Sequence, residues 1–250
     1  MADEEAIPAA TVIVMRERGG LPELLMVERA AAMAFAGGAL VFPGGRVDPG
    51  DLAMAELHAG QQGGDAEENA HRIAAIRETL EEAGVAVGLA PTGRMLAMRE
   101  RLYAGEPMGE LLKEAGAALA LDALVPFARW LPTGMKHRIF DTRFYLARAP
   151  DNAEPLVDGN ENVRVFWASA RAVLAMAERG EAHLIFPTRR NLERLALFAR
   201  FDDAVADARA HPVRAITPWV ETRDDVQHLC IPDDLGYPIT SQRLDEAVRA

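Results

Sequence analysis

The stretch Arg77-Glu78-Thr79-Leu80-Glu81-Glu82-Ala83-Gly84-Val85 decides how this chain is read. Three carboxylates fall within five residues, behind an arginine and ahead of a glycine. On a helix, Glu78, Glu81 and Glu82 stand at i, i+3 and i+4 and share one face. Like charges at that spacing repel, and no lysine lies nearby to pair with them. A hard divalent cation turns the repulsion into coordination, because Mg²⁺ prefers carboxylate and water oxygens. At roughly 100° per residue, Ile73, Ile76 and Leu80 form an apolar stripe nearly opposite the acids. Asp65 fits an N-cap, with Glu68 at capping-box spacing, and Gly84 fits the residue just past a helix end. The pattern predicts a helix from Ala66 to Ala83, with one face in a core and the other on a cleft.

Upstream, Phe42-Pro43-Gly44-Gly45-Arg46-Val47-Asp48-Pro49-Gly50-Asp51 is a glycine-rich loop after the apolar run Ala39–Phe42. Together the two segments resemble the box of the Nudix hydrolases: Gly, five residues, Glu, seven residues, then Arg-Glu-apolar-any-Glu-Glu-any-Gly-apolar. Gly45 and five residues lead to Asp51, an acid where the family has Glu, and Arg77 to Val85 match except for Thr79 at an apolar position. Residues 52–76 number twenty-five where the family has seven, an insertion of eighteen. An interrupted box of this kind resembles the branch that includes the peroxisomal coenzyme A and acyl-CoA diphosphatases.

The resemblance implies a Nudix-type α/β/α sandwich with a mixed central sheet. It implies one domain over 1–250, with an insertion at 52–69, a helical elaboration at 105–121 and a C-terminal extension at 203–250. It implies Mg²⁺- or Mn²⁺-dependent cleavage of a diphosphate linkage, with Glu78, Glu81, Glu82 and the Gly44 carbonyl on the metal. Arg77 orients a carboxylate, and Asp51 is either a structural acid or an outer partner of the site. The general base is either Glu78 or an acid outside the box, for which Glu161 is the candidate. Gly45 permits close backbone approach, and Arg29, Arg46, Arg138 and Arg143 are candidate phosphate contacts. His71 is expected on the carboxylate side of the helix. Coenzyme A or acyl-CoA is the favoured substrate by analogy, with ADP-ribose and NADH as alternatives. A non-hydrolysing nucleotide sensor and a structural dimerisation module are the competing classes; three clustered acids exceed what a mere binder requires.

Composition sets the outer bounds. Of 250 residues, 50% are hydrophobic and 26% charged, a globular balance. A net charge of −11 argues against a nucleic-acid partner, and it makes metal ions the natural intermediary for an anionic substrate. The single Cys230 allows no internal disulfide. An acidic start, Met1-Ala2-Asp3-Glu4-Glu5, and the lack of a long apolar run give the expectation of a cytoplasmic protein with no membrane partner. The ending Val248-Arg249-Ala250 is not a peroxisomal Ser-Lys-Leu address.

The remaining elements follow from pattern. Strands are expected at Ala9–Met15, Leu24–Val27, Ala39–Phe42, Val85–Val87, Leu124–Leu131, Arg138–Arg148 and Val163–Trp167. Helices are expected at Leu52–Ala59, Met95–Tyr103, Met108–Leu121, from Ser169 to Gly180, and at Pro187–Asp202, with 203–209 extending or restarting the last. The insertion is read as a surface excursion, with a lid or a dimer contact as the functional alternative. Met108–Leu121 is read as a cap or homodimer interface, and Ile216–Thr240 as strands and turns folded back on the body.

Overall fold

The computed structural model describes residues 6–33, 36–62, 65–90, 93–133, 139–151, 153–157 and 161–247. It opens with a hairpin of β1 (Ile7–Arg18) and β2 (Leu21–Arg29), turned at Gly19 and Gly20, both with positive φ. Then come β3 (Leu40–Val41), β4 (Gly44–Arg46), α1 (Pro49–Gln62) and α2 (Ala66–Ala83). A smaller group follows: β5 (Leu89–Ala90), α3 (Gly93–Ala97), α4 (Arg99–Tyr103), α5 (Met108–Ala115) and β6 (Ala118–Leu119). After β7 (Val125–Trp130), β8 (Phe140–Arg148) and β9 (Asn162–Ala168) the chain turns helical, with α6 (Ala170–Glu178), α7 (Phe186–Leu195) and α8 (Phe201–Ala210). It closes with β10 (Ala215–Ile216), β11 (Trp219–Arg223), β12 (Val226–Cys230), β13 (Ser241–Arg243) and α9 (Leu244–Ala247).

The main sheet is mixed, ordered β10-β7-β8-β1-β2-β3, with β4 added to β1 and β9 to β2. β1 lies at its centre, parallel to β8 from Ile7 to Met15 and antiparallel to β2. Both faces are apolar because alternate residues of the central strands point into different cores. Val12, Val14, Leu25 and Tyr145 meet Ile73, Ile76 and Leu80 of α2 and Leu111 of α5 on one face. Ile13, Met15, Met26 and Leu146 meet Val173, Leu192 and Ala204 of α6, α7 and α8 on the other. The architecture is the expected α/β/α sandwich.

Helix α2 has the expected bounds. The Asp65 side chain accepts from the Glu67 N–H, and Gly84 adopts φ 66° and donates to the Leu80 carbonyl. Glu68 does not complete a capping box; it turns to Arg143 and Arg72. Twelve of the eighteen residues of α2 are buried, so the helix is enclosed well beyond its apolar stripe.

Several other expectations are corrected. Val85–Val87 is buried but not a strand, because the Val87 N–H closes a tight turn on the Val85 carbonyl and is unavailable to a ladder. The expected helix Met95–Tyr103 is two short helices, α3 and α4, interrupted at Met98. The helix expected over Met108–Leu121 stops at Ala115, where Gly116 takes φ 60°, and Ala118–Leu119 pairs with β5 instead. Its apolar stripe, Met108, Leu111, Leu112 and Ala115, lies in this chain's own core and offers no subunit interface. Helix α7 ends at Leu195, short of the expected Asp202, and the Phe201 N–H leaves the helical pattern to bond Glu17. The insertion helix runs past Ala59 to Gln62 and packs along α2, burying Ala55. Among the described residues no helix is long and apolar enough to cross a membrane.

Leu80→Ala, at a position with no solvent exposure, is expected to destabilise the fold by about 2–5 kcal/mol. Leu57→Ala, on the 67% exposed side of the insertion helix, should stay within about 0.5 kcal/mol. Urea unfolding of the two variants measures the contrast.

Candidate active site

Strand β4 brings the glycine-rich loop against β1, pairing Thr11 with Gly44 and Ala10 with Gly45. The approach is too close for side chains. A β-carbon on Gly44 would lie 2.6 Å from Thr11 Cα, and one on Gly45 would collide with the Glu78 carboxylate. The pair of glycines therefore lets α2 lie directly over the loop. The Gly44 N–H donates to Glu82 Oε2 at 2.9 Å.

Arg77 organises the acids. Its Nε and Nη2 hold the two Asp51 oxygens at 3.1 and 2.9 Å. Nη2 also donates to the Arg46 carbonyl at 3.0 Å, and Nη1 donates to Glu78 at 2.9 Å and Glu81 at 3.2 Å. A guanidinium has five N–H donors, and each here has an acceptor. Asp51 is almost fully buried and also accepts from the Asp48 N–H, so it is a structural acid fixed by Arg77.

The insertion preserves this pair by its symmetry. Eleven residues separate Asp51 from Gln62, and eleven separate Ala66 from Arg77. At about 1.5 Å per residue, each helical arm spans about 16 Å. The chain leaves along α1 and returns antiparallel along α2 to the point where it left.

Glu82 is held by the Gly44 N–H, by the Asn162 side chain, and by Arg29, whose Nη1 lies 3.6 Å from Oε1. Among the described residues, Asp51, Glu78 and Glu81 share the Arg77 guanidinium, and Glu82 faces Arg29. Burial and mutual repulsion, chiefly from Glu78, push Glu81 up to about 7 and Glu82 up to about 8, and burial raises Glu78 as well. The crowding of acids on hard oxygen donors fits a divalent cation. Among the described residues the acids do not converge as a preformed shell. In this conformation Glu78 and Glu81 turn to Arg77, and Glu82 turns to the loop.

The other expected residues divide. Arg29 lies at the site, as does Gly45. Glu161 is exposed at the edge of β9, one residue before Asn162, and its carbonyl accepts from Ala30. The Arg46 carbonyl is committed to Arg77 while its side chain is exposed. Arg138 lies outside the described residues. Arg143 is a correction, because Glu67 and Glu68 hold its guanidinium and it is not available as a phosphate contact. His71, expected on the carboxylate side of α2, is buried and bonded through Nδ1 to the Glu67 carbonyl, and burial lowers its pKa. Asn162 and Arg99 escaped the sequence reading. Arg99 donates to the carbonyls of Leu80, Glu81 and Glu82 at the end of α2, from nearly twenty residues away. Neither carries a local signal, since both are placed only by the fold.

The fold matches a known one. A crystal structure of a NUDIX hydrolase from Alicyclobacillus acidocaldarius superposes with a TM-score of 0.72 at 28% identity, covering 82% of this chain and 97% of that one. The fold is that of the Nudix hydrolase superfamily. The acyl-coenzyme A diphosphatase NUDT19 of Gallus gallus is 27% identical over 277 aligned positions, covering 86% of this chain and 73% of the relative. No family model matches the chain. The departures from the family box explain themselves physically. Thr79 turns its hydroxyl back to the Ala75 carbonyl and is buried without penalty, and Asp51 reaches Arg77 in place of a longer Glu.

Arg77→Ala strands Asp51 as a buried unpaired charge and is expected to cost about 3–5 kcal/mol, read by urea unfolding. A pH dependence follows from the acids. Glu81 and Glu82 bind protons more tightly folded, near 7 and 8, than at the ordinary 4.5. Their contribution is thus fully present at low pH and is lost as pH rises from about 5 through about 8. In chelator, the melting temperature should fall across that window in wild type and fall less in Glu82→Gln.

Proposed function

We propose that this Nudix hydrolase cleaves the diphosphate linkage of a nucleoside diphosphate joined to a second group, with coenzyme A or acyl-CoA as the substrate class. The observation that carries the reading is the crowding of acids on α2, closed against the Gly44–Gly45 loop and held by Arg77. The interrupted box and the likeness to an acyl-coenzyme A diphosphatase support the substrate class.

In this reading Glu78, Glu81, Glu82 and the Gly44 carbonyl hold Mg²⁺ or Mn²⁺. The bound cation would neutralise the diphosphate oxygens and supply an ordered water. The chain's own residues do the positioning. Arg77 keeps Glu78 and Glu81 on one side of the helix, and Gly44 N–H and Asn162 fix Glu82. Arg29, beside Glu82, meets a phosphate oxygen as the diphosphate enters, exchanging one anion for another. Glu161, beside Asn162 at the head of β9, takes the proton of the attacking water, with Glu78 as the competing base. The reading places the enzyme in the cytoplasm and needs no second subunit at the site.

The experiment is a hydrolysis screen over coenzyme A, acyl-CoA, ADP-ribose, NADH and dinucleoside polyphosphates, with Mg²⁺, Mn²⁺ and chelator. Coenzyme A or acyl-CoA should give the highest kcat/KM, and chelator should abolish turnover. Glu82→Gln should lower kcat by about 10²–10³-fold. Wild-type turnover by that variant sinks the site, and preference for ADP-ribose or NADH sinks the substrate class. Binding without turnover on any substrate would mark a nucleotide sensor.

A further inference from the structure

We propose that Arg99 is a positioning residue, one that locks the last turn of α2 to Leu156. The inference rests on the reading of α2 as the metal-holding helix.

A helix leaves its last four carbonyls without intrahelical partners. In α2 these belong to Leu80, Glu81, Glu82 and Ala83, and two of the three acids sit among them. Arg99, the first residue of α4, supplies most of the missing donors. Its Nε bonds the Leu80 and Glu81 carbonyls at 3.0 Å each, and its Nη2 reaches Glu81 at 2.7 Å and Glu82 at 3.3 Å. The Leu80 carbonyl also receives the Gly84 N–H, and the Ala83 carbonyl receives the Leu156 N–H at 2.8 Å.

The same guanidinium reaches beyond the helix. Nη2 donates to the Leu156 carbonyl at 2.9 Å. Leu156 is therefore tied to the helix end at both its N–H and its C=O. Its side chain lies over Gly84, where an added β-carbon would come within 3.1 Å of Leu156 Cβ. Glu161 follows five residues later, and Asn162, next along, bonds Glu82. Leu156 and Asn162 are thus each tied to the acid-bearing end of α2.

The chemistry suits arginine. A cation at a helix C-terminus meets the negative end of the helix dipole, and here it does so beside a cluster of carboxylates. The planar fork spans four carbonyls from two segments, which a lysine ammonium cannot do from one point. The backbone of Glu81 and Glu82 is held by Arg99 while Arg77 and Gly44 hold their side chains, so the two restraints act on different parts of the same residues.

The test compares Arg99→Ala and Arg99→Lys with wild type and Glu82→Gln, each assayed well below its melting temperature across a Mg²⁺ titration. Arg99→Ala should lower kcat by about ten- to a hundredfold, leave KM within about twofold, and raise the Mg²⁺ needed for half-activation. Arg99→Lys should recover part of the loss. If the alanine variant does not fold, the lysine variant decides alone, and it must still fall below wild-type kcat at saturating Mg²⁺. Either folded variant turning over at the wild-type rate with an unchanged Mg²⁺ curve overturns the proposal, leaving Arg99 a stabilising cap only. An inactive Glu82→Gln beside a fully active Arg99→Lys sinks this inference alone; an active Glu82→Gln sinks the metal-helix reading beneath it.

Discussion

The site depends on one buried ion pair, Arg77 with Asp51. It joins the first turn of α1 to the penultimate turn of α2, and its remaining donors hold Glu78, Glu81 and the loop carbonyl of Arg46. A buried pair of this kind contributes little net stability, because desolvation offsets much of the attraction. Its value lies in geometry. A guanidinium with every donor engaged has one orientation, and it transmits that orientation to two acids and to the glycine loop together. The two arms of the helical hairpin between the partners are matched in length, so the chain returns to the place where it left.

A second constraint opposes the first. Four carboxylates are brought together around two arginines, in surroundings that keep water scarce. The protein accepts a strained charge balance among these acids, a common relation between stability and function. The glycines complete the arrangement from the other side. Without β-carbons, the loop backbone approaches both β1 and the Glu78 carboxylate, and the Gly44 N–H is left pointing at Glu82.

The body around the site is held by a different polar device. Arg194, buried in α7, bonds Asp207 of α8 and the Phe127 carbonyl of β7, and lies over the rings of Phe127 and Tyr237. Tyr237 in turn accepts from Trp130 Nε1 and donates to Asn191. These contacts fasten the segment around Tyr237 to the second face of the sheet, opposite α2. That leaves the acid-bearing face to be shaped by α1, by Arg99 and by the segment around Leu156.

The local chain determined much of this by itself. Cap residues and an apolar stripe fixed α2 to the residue, because a helix end is decided by the few side chains beside it. A continuous apolar run located β1, because both faces of the sheet are buried there, and two-residue alternation located β8. The acids, Arg77 and the paired glycines were legible as one motif, since its parts share a helix and a loop. Tertiary structure alone decided the rest. Arg143 and His71 carry the right chemistry, but Glu67, Glu68 and burial claimed them. Met108–Ala115 has the stripe of an interface yet faces its own core. Arg99, Leu156 and Asn162 meet the helix across long separations in sequence, and hydrogen bonds between distant segments leave no periodic trace for a linear reading to find.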